Sequence, residues 1–220
     1  MRILTTVAVA SLCLGAMPAH AFLIDDFDTG TGFNVAPSDP GPTNVPAVTA
    51  IGGSRTMAID PASANGTTLE VTTGGTLDHG QTTAGGGSSS VTWDANGAGL
   101  GGLDLTDGGL ATLVRVSVLG IDVGHVDLAL EVTDTGAMTS SLALTGLNVG
   151  TFDFDFASFV GSADLTATDK IVLTIAAGTN SDVSLDLVET DQLRPPVSEP
   201  GILALAGAGL VGLAVARRRV

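Results

Sequence analysis

The stretch Val126-Asp127-Leu128-Ala129-Leu130-Glu131-Val132 decides the fold class. In an extended chain successive side chains point to opposite faces, so Val126, Leu128, Leu130 and Val132 form one apolar face and Asp127, Ala129 and Glu131 a second, wetter one. The same rhythm returns in Val114, Val116 and Val118 around Arg115 and Ser117. It returns again in Phe152, Phe154 and Phe156 around Asp153 and Asp155, and in Val183, Leu185 and Leu187 around Ser184 and Asp186. Period two with one polar face is the pattern of half-buried antiparallel strands. The turn signals Asp107-Gly108-Gly109, Asp134-Thr135-Gly136 and Gly178-Thr179-Asn180 separate the runs at spacings that suit a sandwich. Thirty glycines and nine prolines in 220 residues argue against a helical bundle. The expected class is therefore all-β: a single antiparallel β-sandwich.

The first half is looser. Pro37, Pro40, Pro42 and Pro46 mark loop or edge composition, and Gly85-Gly86-Gly87-Ser88-Ser89-Ser90 reads as a flexible connection between neighbouring strands. One domain is expected over residues 22–193, followed by a Pro-rich spacer at 194–197.

Both ends read as addresses. Met1-Arg2, an apolar run from Ile3 to Met17 and Pro18-Ala19-His20-Ala21 have the three parts of a secretory signal peptide, residues 1–21, with signal peptidase cutting after Ala21. The one cysteine, Cys13, lies inside it, so the mature chain has no thiol for a disulfide, a nucleophile or a metal. At the other end, residues 198–220 hold Ser198-Glu199-Pro200, an apolar run over 201–216 that reads as a single transmembrane helix, and the basic tail Arg217-Arg218-Arg219. Basic residues stay cytoplasmic, which leaves the body outside the cytoplasm, held at first by an inner-membrane anchor. This tail resembles the PEP-CTERM sorting signal of Gram-negative bacteria in Glu199, Pro200, the apolar run and Arg217, Arg218 and Arg219; Ser198 stands where the motif has its first proline. The resemblance implies processing by an exosortase-type protease, release to the cell surface or extracellular space, and a setting of exopolysaccharide and biofilm matrix. Gly207-Ala208-Gly209-Leu210-Val211-Gly212 fits a dinucleotide-binding pattern, but it lies in the apolar run with no strand before it.

Residues 22–197 keep four basic groups (Arg55, Arg115, Lys170, Arg194) against 22 acidic ones, a net charge of about −18. Such a body repels nucleic acid phosphates. Its segments Ile24-Asp25-Asp26-Phe27, Gly52-Gly53-Ser54-Arg55, Val91-Thr92-Trp93-Asp94, Gly101-Gly102-Leu103-Asp104-Leu105-Thr106 and the closing run Asp182–Glu189 resemble in rhythm the jelly-roll sandwiches of secreted bacterial proteins and carbohydrate-binding modules. That resemblance implies that the first and last strands pair, bringing Asp25–Asp28 near Asp186 and Glu189. A structural calcium held by Asp26, Asp28 and Asp186 is the sharpest expectation for the acidic groups, although solvated carboxylates explain them as well. No cofactor is otherwise required. Trp93 and Asp94 are the candidate ligand-binding pair, since sugars are held on aromatic rings with polar groups beside them; tryptophan is also a common core residue. His79 and His125 read as turn or surface residues. No serine elbow, zinc motif or Cys-His pair is present, so a noncatalytic role is expected. The leading reading is an exported, surface-sorted structural or adhesive protein. A carbohydrate-binding module and a carboxylate-based glycan-active enzyme remain as alternatives.

Overall fold

The four alternating runs each form a strand in the structure, a computed structural model that describes residues 22–63, 66–82 and 86–192. The strands are β1 (Phe22–Asp25), β2 (Phe33–Val35), β3 (Thr43–Pro46), β4 (Ser54–Ile59), β5 (Thr67–Val71), β6 (Leu77–Gln81) and β7 (Gly87–Trp93). They continue as β8 (Leu113–Ile121), β9 (Val126–Asp134), β10 (Thr139–Leu147), β11 (Gly150–Asp155), β12 (Val160–Gly161), β13 (Thr168–Ala177) and β14 (Val183–Asp191). The only helical elements among the described residues are short 3₁₀ turns, and no helix there is long and apolar enough to cross a membrane. The signal peptide, the 201–216 run and the sorting residues lie outside the described residues.

Two antiparallel sheets make the sandwich. One has the order β11-β8-β14-β6-β5-β2, with β1 added beside β14; the other has the order β12-β10-β9-β13-β7-β4-β3. First and last strands do pair, with Leu23 opposite Glu189 and Asp25 opposite Val188. In the second sheet β9 lies between β10 and β13, so Leu130 faces Leu142 on one side and Leu173 on the other. Val126, Leu128, Leu130 and Val132 are all buried, and with Val114, Val116, Phe154, Ile171 and Leu185 they belong to one hydrophobic cluster between the sheets. Burying such a side chain contributes about 1.5–3 kcal/mol. The prolines fall where expected: β3, which ends in Pro46, is an edge strand with β4 as its neighbour.

Inside this apolar layer sits an ion pair. Asp25 of β1 and Arg55 of β4 come from opposite sheets, and both side chains are fully buried. Arg55 donates twice to the carboxylate, from Nε to Oδ2 at 2.7 Å and from Nη2 to Oδ1 at 2.6 Å. Trp93 Nε1 donates to the same Oδ2 at 2.8 Å, and the Phe27 backbone N–H to Oδ1 at 2.9 Å. The remaining guanidinium nitrogen, Nη1, donates to the Thr29 carbonyl at 2.8 Å. The guanidinium also lies 5.2 Å from the centre of the Phe27 ring. Phe27 itself has φ of +57°, a left-handed conformation costly for a bulky residue, and the Asp25 carboxylate holds its N–H there.

Three sequence readings are corrected here. Trp93 is fully buried, so its ring is no platform for a sugar; its indole N–H has its partner inside the core. His79 is buried as well, because Leu77, His79 and Gln81 alternate inward along β6. Gly87-Ser88-Ser89-Ser90 is no loop but the first part of β7, paired on one side with β13 and on the other with β4. Small side chains carry little strand preference of their own, and the two flanking strands override it.

Removing one partner of the buried pair leaves a lone charge without solvent. Asp25→Ala is predicted to cost about 3–5 kcal/mol in urea unfolding, whereas the double variant Asp25→Leu/Arg55→Met recovers much of that loss. A cost below about 1 kcal/mol for the single variant contradicts this assignment.

Candidate functional site

The register of β5, β6 and β14 builds a trough on the outer face of the first sheet. Leu69, Val71, Leu77 and Leu185 point inward, which turns Thr68, Glu70, Asp78, Gly80 and Ser184 outward. Glu70 stands opposite Asp78, Thr68 opposite Gly80, and Ser184 opposite Asp78. With Asp182, which precedes β14, these residues line a recess of about 210 Å³. Gly80 forms part of its floor: a Cβ there would come within 2.6 Å of Thr68 Oγ1 and 3.2 Å of Asp182 Oδ1. Two of the carboxylates, Asp182 and Asp78, are held in place. Asp182 Oδ1 accepts from the Gln81 N–H at 3.1 Å, and its own N–H donates to Asp122 Oδ1 at 2.6 Å. Asp78 Oδ1 accepts from Thr76 Oγ1 at 3.0 Å. Such a recess offers hydrogen-bond acceptors and hydroxyls, and no lysine or arginine lines it.

His79 lies beneath this trough in a hydrogen-bonded chain that crosses the sandwich. Its Nδ1 is 2.7 Å from Ser89 Oγ of β7, and its Nε2 is 2.8 Å from Gln81 Nε2. Thr67 Oγ1 donates to Gln81 Oε1 at 3.2 Å. The Gln81 amide nitrogen can only donate, so the imidazole accepts at Nε2 and donates from Nδ1. Protonation would set a second donor against the Gln81 amide. Burial lowers the His79 pKa to about 4.

A second recess, of about 490 Å³ and mainly apolar, lies at one end of the first sheet. It is lined by Thr106, Ala111 and Thr112 before β8, by Asp155 at the end of β11 and by Phe156 and Ala157 just after it. Phe156 meets Phe159 edge to face, with centroids 6.1 Å apart. Asp104 anchors the near loop: its carboxylate accepts from the Thr106 hydroxyl at 2.6 Å and the Gly108 N–H at 2.9 Å, which hold it below the usual carboxylate range. On the adjoining sheet face Arg115 bridges Asp153, at 2.8 Å from Nε to Oδ1, and Asp191. Asp153 above all raises the Arg115 pKa. Glu189, opposite Arg115, is pushed above the usual range by burial and by the nearby Asp191 charge.

The residues singled out from sequence are spread differently. Asp26 accepts from Thr49 Oγ1 at 2.6 Å, and Asp28 lies against Gly75. Asp186 sits in the β14 segment where the pairing with β8 shifts register. Among the described residues no group of three or more His, Cys, Asp or Glu could hold a metal ion. Asp94 accepts from the Gly97 N–H at 3.0 Å and so shapes the turn after β7. The trough residues were not anticipated. A signal for half of them was present: Thr67–Val71 and Leu77–Gln81 alternate on either side of Thr72-Thr73-Gly74-Gly75-Thr76, a hairpin pattern that sets Glu70 against Asp78.

The chain carries the PEP-CTERM protein-sorting motif over residues 196–219, which marks it as an exported protein. No curated protein matches it. Among solved structures it is similar to a family 11 carbohydrate-binding module from Clostridium thermocellum, in complex with a β-1,3-1,4-mixed-linked tetrasaccharide. The identity is 11% and the TM-score 0.43, over 80% of this chain and 98% of that one. It is also similar to TmCBM61, in complex with β-1,4-galactotriose, with 12% identity and a TM-score of 0.37 over 62% and 86% of the two chains. An exo-β-agarase shows 14% identity and a TM-score of 0.41 over 81% of this chain and 25% of that one.

The His79 geometry predicts a pH dependence. The unfolded chain binds a proton on this ring near pH 6.5 and the folded chain only near 4, so the unfolded state binds more protons in between. Stability should fall as pH drops through 6.5 and this loss should level off below 4, at about 3 kcal/mol. Urea titrations of the wild type and His79→Gln should diverge over that window, and parallel curves would rule the effect out.

Proposed function

We propose that this exported sandwich is a noncatalytic adhesive protein that binds extracellular polysaccharide through the trough on its first sheet, after an exosortase-type protease has acted on the sorting motif. The observation that carries the reading is an open recess of fixed carboxylates and hydroxyls around a glycine floor, in a chain addressed for export. Sugar hydroxyls donate well to carboxylates, and a flat floor lets a pyranose ring approach the backbone. The trough has no aromatic lining, so each site binds weakly, and adhesion comes from many copies along a polymer.

Charge narrows the ligand. The body carries 22 acidic groups against four basic ones. Of the basic groups, Arg55 is buried on Asp25 and Arg115 is bridged to Asp153 and Asp191. Polyuronates and sulfated glycans are therefore repelled, and neutral or amino-sugar polymers are favoured.

Affinity electrophoresis tests this. Gels containing a neutral β-glucan, a galactan or a partly deacetylated amino-sugar polymer should include at least one that retards the protein, whereas polygalacturonate should not. Asp78→Ala should weaken retardation about tenfold. Retardation by polygalacturonate alone, or an unchanged Asp78→Ala variant, overturns the proposal.

A further inference from the structure

The apolar recess at the end of the first sheet faces the exit of the chain. Strand β14 runs antiparallel to β8 and ends at Asp191, whose carbonyl accepts from the Thr112 N–H at 2.9 Å. The Thr112 carbonyl in turn accepts from the Phe156 N–H, also at 2.9 Å. The last strand thus delivers the chain to the rim of a recess whose walls are Thr112 on one side and Phe156 on the other. The sequence that follows Gln192 is Leu193-Arg194-Pro195-Pro196-Val197.

We propose that the recess is the docking site of this chain's own Leu193–Val197 segment. Three features fit segment to recess. Reach comes first: five extended residues cover about 16 Å, and the recess lies within two strand spacings, about 10 Å, of Asp191. Chemistry is second. Leu193, Pro195, Pro196 and Val197 are apolar, proline-rich segments lose little entropy on ordering, and their rings pack on aromatic surfaces such as Phe156. Charge is third: Arg194 enters a rim that holds Asp155. Docking fixes the body against the sorting motif, so Ser198-Glu199-Pro200 follow immediately beyond the seated segment. The β8–β14 end of the sandwich then faces the membrane while the motif is intact. This inference does not rest on the polysaccharide reading.

The test uses the full chain, exported in cells that lack an exosortase so that the tail is kept. Cys13 is the sole cysteine, so a Cys13→Ser background is free of thiols. Ala157→Cys with Val197→Cys should form an intramolecular disulfide in most molecules, seen on non-reducing gels and by peptide mass spectrometry. Thr68→Cys with Val197→Cys, placed on the trough instead, should give little. Adding Phe156→Asp should cut the first cross-link at least about fivefold. Adding Pro195→Ser/Pro196→Ser should cut it as well, and that change leaves the body untouched. Equal yields for the two cysteine pairs, or a yield indifferent to the tail variant, overturn the proposal.

Discussion

A single carboxylate in the middle of the core organises this protein. Asp25 accepts four hydrogen bonds: two from Arg55, one from Trp93 and one from its own loop at Phe27. The donors come from the second sheet and from the turn after β1, and the carboxylate itself from the first sheet. A buried ion pair of this kind adds little stability compared with apolar packing, but once built it tolerates no partial removal. It therefore acts as a registry device. In the observed register of the first strand on β14, Asp25 reaches Arg55 and Trp93, and Phe27 is held left-handed as part of the same arrangement.

That arrangement also determines what is left on the outside. The sole tryptophan and one of the few arginines are committed to the interior, and a second arginine is bridged on the first sheet by Asp153 and Asp191. The surface that remains is rich in carboxylates, hydroxyls and glycine. Ligand chemistry follows from this inventory: acceptors for sugar hydroxyls are plentiful, with Asp182 fixed by the Gln81 N–H and Asp78 by the Thr76 hydroxyl, while aromatic stacking on tryptophan is closed off. Both recesses lie on the first sheet, the polar one across its face and the apolar one at the end where β14 leaves.

Much of the body was legible because period-two alternation is a strong signal. β8 and β9 follow directly from Val114–Val118 and Val126–Val132, while the runs at Phe152–Phe156 and Val183–Leu187 mark β11 and β14 but lose step at their ends, where Phe156 opens a 3₁₀ turn and a register shift buries Val188 in place of Leu187. What escaped the sequence depends on neighbours far away in the chain. β7 begins in Gly-Ser sequence that is extended only because β4 and β13 flank it. His79 is inside because β6 lies beside β14, a pairing sealed by the hydrogen bond from Gln81 to Asp182, 101 residues apart. The same distance hid the trough. Five segments prompted the likeness to jelly rolls, and three of them lie around Asp25, Arg55 and Trp93. Those three meet at the buried carboxylate, where the chemistry they share is structural and not ligand binding.

The most direct test of the central carboxylate is hydrogen exchange at the Trp93 indole, which gives one resonance because the chain has one tryptophan. An N–H sealed in the core by Asp25 exchanges only when the whole sandwich opens. The account predicts an exchange free energy equal to that of global unfolding by urea. Complete exchange within minutes at neutral pH would contradict it and place the indole where water reaches it.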